Sequence, residues 1–278
     1  MFSKKIKVLK KSYLKNSDFW LHASGMNVEK RFTDKTRINE EIYDLKLMVK
    51  SGVKTIILNH QGDYKKKTAR HTQYLSSYLE KTLKTKVYYV RKVNKISIDI
   101  IKKKLKPGEI AMLGNTRLFK GEQENSNKLS RFYSTIAKKI LVGGFCKIHR
   151  KHASNYGVTK FLDTYVSNGI LNEIKKLDKW KKIKKNKVAI LGGVKKEKIL
   201  RGIEYFSKKY TFILPTGIFL NVILKCLNYK IGKSITINDP KINKKILKLI
   251  RSKFFKKKFI LPDEVQVYQD KNKKIITK

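Results

Sequence analysis

Residues 147–154 read Lys-Ile-His-Arg-Lys-His-Ala-Ser, a cationic turn suited to holding a phosphate or a carboxylate. Later comes Ala189-Ile-Leu-Gly-Gly-Val-Lys195, a strand-like run that enters a Gly-Gly-x-Lys turn. Gly192 and Gly193 let an anion approach the backbone, and a following helix N-terminus favours negative charge. The arginines carry a second signal. Lysine and arginine together number 67, and only 9 of these are arginine. Three of the 9, Arg37, Arg117 and Arg150, each follow a different apolar run. A guanidinium grips phosphate or carboxylate as a fork, which an ammonium point charge cannot do. Scarce arginines after separate strands point to one converging anion site. Asn27 and His60 stand at comparable positions after the first and second runs.

Simpler readings compete at each residue. Arg37 at a helix start is in an unfavourable dipole position, so either a ligand or an internal ion pair answers it. His60 at a strand end is also explained as a satisfied histidine. His149 and His152 are spaced i, i+3 without an acidic or cysteine ligand nearby, so no metal site is expected there. Lys65-Lys66-Lys67 reads as a solvated loop. Gly232-Lys233-Ser234 resembles the end of a P-loop, but Leu227 stands where the required earlier glycine belongs.

The elements that must position these residues form a βαβα rhythm. Strand-like runs are expected at 19–23, 55–59, 87–90, 110–113 and 140–142, with helices near 39–51, 72–85, 97–105 and 127–139 between them. Residues 159–183 read as one helix, and Lys181–Lys187 as a boundary. A second series follows, with strands at 188–191, 210–214 and 259–261 and helices near 196–208, 217–228 and 241–255. Lys271–Lys278 reads as a fraying end or a short last strand. The fold class expected is α/β: two lobes with parallel sheets flanked by helices, Rossmann-like in layering. Its divisions are an anion-binding lobe over 1–170, a connecting helix and hinge over 171–186, and a nucleotide lobe over 187–278. In such sheets ligands bind at the carboxyl ends of the strands.

Bulk composition bounds the class. The 278 residues are 41% hydrophobic, enough for a globular core, and no run of 18 apolar residues suggests a membrane span. The first residues lack a signal-peptide apolar core, so a cytoplasmic location is expected. Cys146 and Cys226 read as free thiols. The net charge of +46 fits either nucleic-acid binding or a compositional bias toward lysine. The lysine excess favours the bias.

Five segments in order resemble the phosphoglycerate kinase family. They are Ala23-Ser-Gly-Met-Asn-Val-Glu29, Thr36-Arg37-Ile38, Asn59-His60-Gln61-Gly62-Asp63, Asn115-Thr116-Arg117-Leu118, and Ile148-His149-Arg150-Lys151-His152-Ala153-Ser154. The resemblance implies that Asn27, Arg37, His60, Arg117 and Arg150 hold 3-phosphoglycerate. It implies that Arg37 and Lys195 stabilise the phosphoryl group in transit. It also implies that Gly192, Gly193, Lys195, Lys198 and Gly217 bind ATP or ADP with Mg²⁺. The implied reaction is reversible phosphoryl transfer between ATP and the carboxylate of 3-phosphoglycerate, as in glycolysis, by a monomer.

The chain departs from the family pattern in several places. The first-strand aspartate, which in the family holds the substrate hydroxyl, is Gly25, and the arginine after His-x-Gly is Asp63. One residue is missing between Lys195 and Lys198, and Thr216-Gly217-Ile218-Phe219 replaces a triple-glycine segment, setting a bulky Ile218 near the expected base. The family's final portion, with its Gly-Gly-Gly-Asp turn, has no counterpart after Leu261–Val265, so a truncated second lobe is expected. Three functions follow from the sequence: the kinase, with activity retained or impaired; a non-catalytic descendant that binds a phosphorylated acid or other anion; and a basic polyanion-binding protein.

Overall fold

A computed structural model describes residues 7–182, 185–193, 205–206 and 208–264, together with the backbone of strands at 266–269 and 274–277. The chain divides into two compact units, Met1–Asp178 and Lys179–Lys278. Among the described residues no helix is long and apolar enough to cross a membrane.

The first unit is built on one sheet of β1 (Phe19–Ala23), β2 (Lys54–Leu58), β3 (Val87–Val90), β4 (Ile110–Leu113), β5 (Lys139–Val142) and β6 (Asp163–Val166). The order is β3-β4-β2-β1-β5-β6, and every pairing is parallel. Helices α1 (Thr36–Lys50), α2 (Gln73–Leu83), α3 (Lys95–Lys104), α4 (Asn127–Ser134) and α5 (Asn168–Lys182) connect or follow the strands. Both faces of the sheet are covered, which explains why the strands read as continuous apolar runs. Leu21, Ile56, Leu58, Leu113 and Ile140 pack with Ile98, Ile101 and Tyr133. Ile57, Ile110 and Met112 pack with Ile38, Leu45, Leu75 and Leu79 from α1 and α2.

Two expectations need correction. Residues 159–183 are not one helix, because β6 occupies 163–166 and extends the sheet beyond β5. Its Thr164-Tyr165-Val166 run suits a pleated surface, and Tyr165 is buried beside Trp20. The helix expected over 127–139 stops at Ser134. Ser134 Oγ donates to Arg131 O at 2.8 Å and Thr135 Oγ1 to Phe132 O at 2.8 Å, so hydroxyls take carbonyls at the helix end.

Strand order reverses at β1: the chain runs outward through β2 toward β3, then returns to β5 on the other side. The loops after β1 and β5 meet there. A Cβ built on Gly25 would lie 2.5 Å from Gly144 Cα, and Gly144 itself has φ +71°, a region that favours glycine. Glycine at 25 is therefore a packing requirement in this chain.

The second unit holds β7 (Val188–Leu191) parallel to β8 (Phe212–Pro215), followed by α6 (Gly217–Cys226), α7 (Pro240–Ile250) and α8 (Lys253–Lys258). The helix expected over 241–255 is thus two helices. Asp239 and Pro240 start the first, and Ser252 precedes the second. The strand expected at 259–261 is reduced to one bridge, Phe259 to Ile213. The last described elements, β9 (Gln266–Gln269) and β10 (Lys274–Thr277), pair antiparallel. Of the helix expected at 196–208, most lies outside the described residues.

Gly25→Ala should cost about 1–3 kcal/mol, because the added methyl meets backbone rather than a movable side chain. Urea unfolding measures it, and an unchanged midpoint would contradict the close loop contact.

Candidate functional site

The candidate residues of the first unit sit just past the carboxyl ends of four neighbouring strands. Asn27 follows β1, His60 follows β2, Arg117 follows β4, and Lys147, Arg150 and His152 follow β5. Arg37 lies in the first turn of α1, which begins after the β1 loop. This edge is where ligands bind in open α/β sheets.

Two buried asparagines hold the loops. Asn59 Oδ1 accepts from Ser24 Oγ at 3.2 Å, and its Nδ2 donates to Met26 O at 3.2 Å. Asn115 Oδ1 accepts from Gln61 N and Arg117 N, both at 3.0 Å, and its Nδ2 donates to Gln61 O and Arg70 O, both at 2.8 Å. Tyr74 Oη donates to Val28 O at 2.8 Å or to Gln61 Oε1 at 2.6 Å, and so clasps two of the loops together. The edge of the sheet is therefore set in place without a ligand.

Inside this frame the charges are unbalanced. Arg117 is 2% exposed, and its Nε and Nη2 have no hydrogen-bond partner. Its pKa is lowered by burial and then by Arg150, while Glu122 and Asp63 oppose the shift. Lys147 is also 2% exposed; burial pulls its amine down to about 8, against the pull of Glu41 and Glu122. His60 is held well below the usual imidazole range by burial, then by Lys147 and Arg117. His152 falls to about 4, through burial and then Arg117, Arg150 and Lys147. Both imidazoles are neutral near pH 7. His60 Nδ1 is 3.3 Å from Ser24 O. A carbonyl only accepts, so Nδ1 carries the hydrogen and Nε2 is left bare.

Arg117, Arg150, His60 and His152 thus share one electrostatic neighbourhood. Arg37 enters it by another route. Its Nη1 donates to Asn27 O at 3.1 Å, and its charge acts on Cys146, the residue before Lys147. Asn27 contributes that carbonyl. Asp63 acts on Arg117, yet its oxygens are already engaged: Oδ1 accepts from Lys66 N at 3.0 Å and Oδ2 from Gln123 Nε2 at 2.9 Å.

Glu41 and Glu122 are buried carboxylates that act on Lys147 without bonding it, and Asp44, farther along α1, is a third buried acid. Glu41 Oε1 accepts from Gly25 N at 2.6 Å, and its Oε2 is 2.6 Å from His22 Nε2. Glu122 accepts from Ser154 Oγ and, at 3.1 Å, from Ser154 N. Burial raises the Glu122 carboxyl, and the Ser154 bonds partly offset this. Asp44 accepts from Asn168 N and Nδ2. Sequence reading passed over Glu41, Glu122 and Lys147. An acid or a lysine inside a helical or basic pattern carries no signal of burial, although Glu41 does lie one helical turn from Arg37.

In the second unit Gly192 and Gly217 are brought together. A Cβ on Gly192 would collide with Thr216 Oγ1, and Gly217 approaches Gly193 N at the start of α6. Thr216 N donates to Leu191 O at 2.7 Å. Ile218 packs against the core around Phe219 and Val222. Lys195 and Lys198 lie outside the described residues. Among the described residues no three His, Cys, Asp or Glu side chains stand close enough to hold a metal ion. The described residues around Gly192 and Gly217 include no carboxylate.

A buried cation without a counter-ion lowers stability. With no anion added, Arg117→Met should unfold at higher denaturant, by about 1–2 kcal/mol, and should lose the stabilisation that sulfate gives the unchanged protein. A variant destabilised in anion-free buffer would show that Arg117 is answered internally.

Comparison with known proteins places these features in a family. A family model described as phosphoglycerate kinase matches residues 6–278. The phosphoglycerate kinase of Buchnera aphidicola subsp. Acyrthosiphon pisum (strain Tuc7) is 34% identical over 207 residues, covering 72% of this chain and 51% of that protein. That of Wolinella succinogenes is 29% identical over 260 residues, covering 90% and 63%. Among solved structures, phosphoglycerate kinase from Pyrococcus horikoshii OT3 has a TM-score of 0.81 at 19% identity, covering 98% of this chain and 70% of that one. Phosphoglycerate kinase from Coxiella burnetii has a TM-score of 0.71 at 22% identity, covering 95% and 68%. The structural likeness establishes the α/β fold. The chain spans about half the length of the Buchnera relative.

Proposed function

The chain belongs to the phosphoglycerate kinase family, and we propose that it binds 3-phosphoglycerate at the carboxyl edge of the first sheet and exchanges a phosphoryl group between that acid's carboxylate and ATP. One observation carries the reading: Arg117 is a buried guanidinium with two nitrogens unanswered, in the same electrostatic neighbourhood as Arg150. Among the described residues no acceptor bonds those nitrogens, and such a group fits a pair of ligand oxygens. Arg117, Arg150, His60 and Asn27 bind and orient the acid. Arg37, at the start of α1, neutralises charge on the phosphoryl group as it passes. Phosphoryl transfer rests on positioning and electrostatic stabilisation, so these roles suffice on the acid side.

On the nucleotide side, Gly192, Gly193 and Gly217 offer backbone approach, and Lys195 and Lys198 supply charge. Mg²⁺ enters as the counter-ion that the nucleotide carries. The two unpaired cysteines fit a cytoplasmic setting.

A second reading is binding without transfer. Gly25 favours it. The family's aspartate at this position holds the substrate hydroxyl, and here the contact with Gly144 leaves no room for a side chain.

A coupled assay of ADP formation from ATP and 3-phosphoglycerate separates the two. The transfer reading expects turnover, with kcat/KM reduced by about 100-fold or more in Arg37→Ala, and a raised KM in Arg117→Ala. Absence of turnover alongside thermal stabilisation by 3-phosphoglycerate would establish the binding reading. Absence of both would remove each of them.

A further inference from the structure

We propose that Lys147 is a ligand-contacting cation of this pocket, its ammonium group meeting an anionic oxygen of the bound phosphorylated acid; the proposal rests on the anion-binding reading above. Lys147 closes the short 3₁₀ turn Phe145–Lys147 that follows β5. Its backbone is fixed, with N donating to Gly144 O at 3.0 Å and O accepting from Arg150 N at 2.8 Å and from Asn155 Nδ2 at 3.3 Å. The side chain is 2% exposed, yet among the described residues its ammonium has no hydrogen-bond acceptor or ion-pair partner. An ordinary lysine in this chain extends into water. This one is withdrawn beside Arg117, His60 and His152 and left unanswered.

The groups around Lys147 explain why an external anion is needed. Glu41, on α1, is taken by Gly25 N and His22; Glu122, in the loop after β4, is taken by Ser154. Both act on Lys147 at a distance without bonding it. Arg117 repels it, and Cys146 beside it has a thiol raised by burial. A ligand carrying two or more negative charges would complete the set.

The state of the amine turns this into a measurable property. Burial brings the Lys147 amine to about 8, so it is half neutral near that pH. A bound anion favours the charged form, so binding above pH 8 takes up a proton and affinity falls as pH rises. Other groups leave the window clear. His60 and His152 titrate well below it, and Cys146 lies above its usual range. Tyr74 and Tyr89, behind the β2 loop, are raised further. A phosphate monoester is fully ionised above pH 7.5.

The experiment is calorimetric titration of the whole chain with 3-phosphoglycerate from pH 7.5 to 9.5, in two phosphate-free buffers of different ionisation enthalpy. The unchanged protein should lose affinity toward a limit of about tenfold per pH unit above pH 8, with proton uptake visible as a buffer-dependent heat. Lys147→Met should bind about 5–50-fold more weakly at pH 7.5, with a flat profile and no proton uptake. Its unfolding transition, measured alongside, checks that it folds. Lys147→Arg should keep affinity flat to pH 9.5, since guanidinium does not titrate there. If Lys147→Met binds with the unchanged protein's affinity and pH profile, Lys147 plays no part and the anion-binding reading stands alone. If the unchanged protein binds no 3-phosphoglycerate at any pH, that reading fails first and takes this proposal with it.

Discussion

The first unit buries positive charge that, among the described residues, is met by carboxylates only at a distance and not by a direct ion pair. Arg117 and Lys147 are each 2% exposed and lack ion-pair partners among the described residues. Burial should drive such groups to pair or to lose charge. The imidazoles take the second course: His60 and His152 stay neutral. Lys147 goes part of the way, and Arg117 stays charged. Such an arrangement costs stability in the empty protein, and it persists only if the surrounding frame holds it. That frame includes the pair Asn59 and Asn115, whose side chains tie the loops after β1, β2 and β4 together.

Much of this is legible in the amino-acid sequence. A parallel sheet buried on both faces writes itself as apolar runs, and the strands at 87–90, 110–113 and 188–191 have the bounds expected. Scarcity made Arg37, Arg117 and Arg150 visible, because a rare residue type at three strand ends stands out against 67 cations. Lys147 had the opposite problem. It lies in the same turn as Arg150, but one lysine among so many says nothing about its burial. β6 was hidden for a related reason. Asp163-Thr-Tyr-Val166 is short, edges the sheet, and runs into α5, whose charged pattern dominated the reading.

The departures at Gly25 and Asp63 have different physical meanings. Asp63 faces a guanidinium neighbourhood, but both its oxygens are saturated by Lys66 N and Gln123. It therefore adds a background negative potential without occupying the ligand's place. Gly25 is a matter of space. Its Cα lies against Gly144 Cα, so the loops after β1 and β5 touch through bare backbone. A chain with a side chain at that position must separate those loops. The substrate hydroxyl that the family holds with an aspartate has no equivalent partner here from position 25.

The carboxylate that does stand beside Gly25 comes from α1. Glu41 accepts the Gly25 amide and meets His22. Asp44, three residues on, accepts the backbone and side chain of Asn168 at the start of α5. These positions share a helix face with Leu45 and Met48, which are fully buried. In a chain with only 21 acids, spending two on an interior helix face calls for a reason. The helix supplies it. α1 has Arg37 in its first turn, where the helix dipole disfavours a cation, and beside it Ile38 is fully buried in the core. Glu41 ties the helix to β1 and its loop one turn after Arg37, and Asp44 ties it to the segment after β6. Both carboxylates are fully buried and engaged in the bonds that clamp the helix. Glu41 and Asp44 thus hold α1 to β1 and its loop on one side and to the start of α5 on the other.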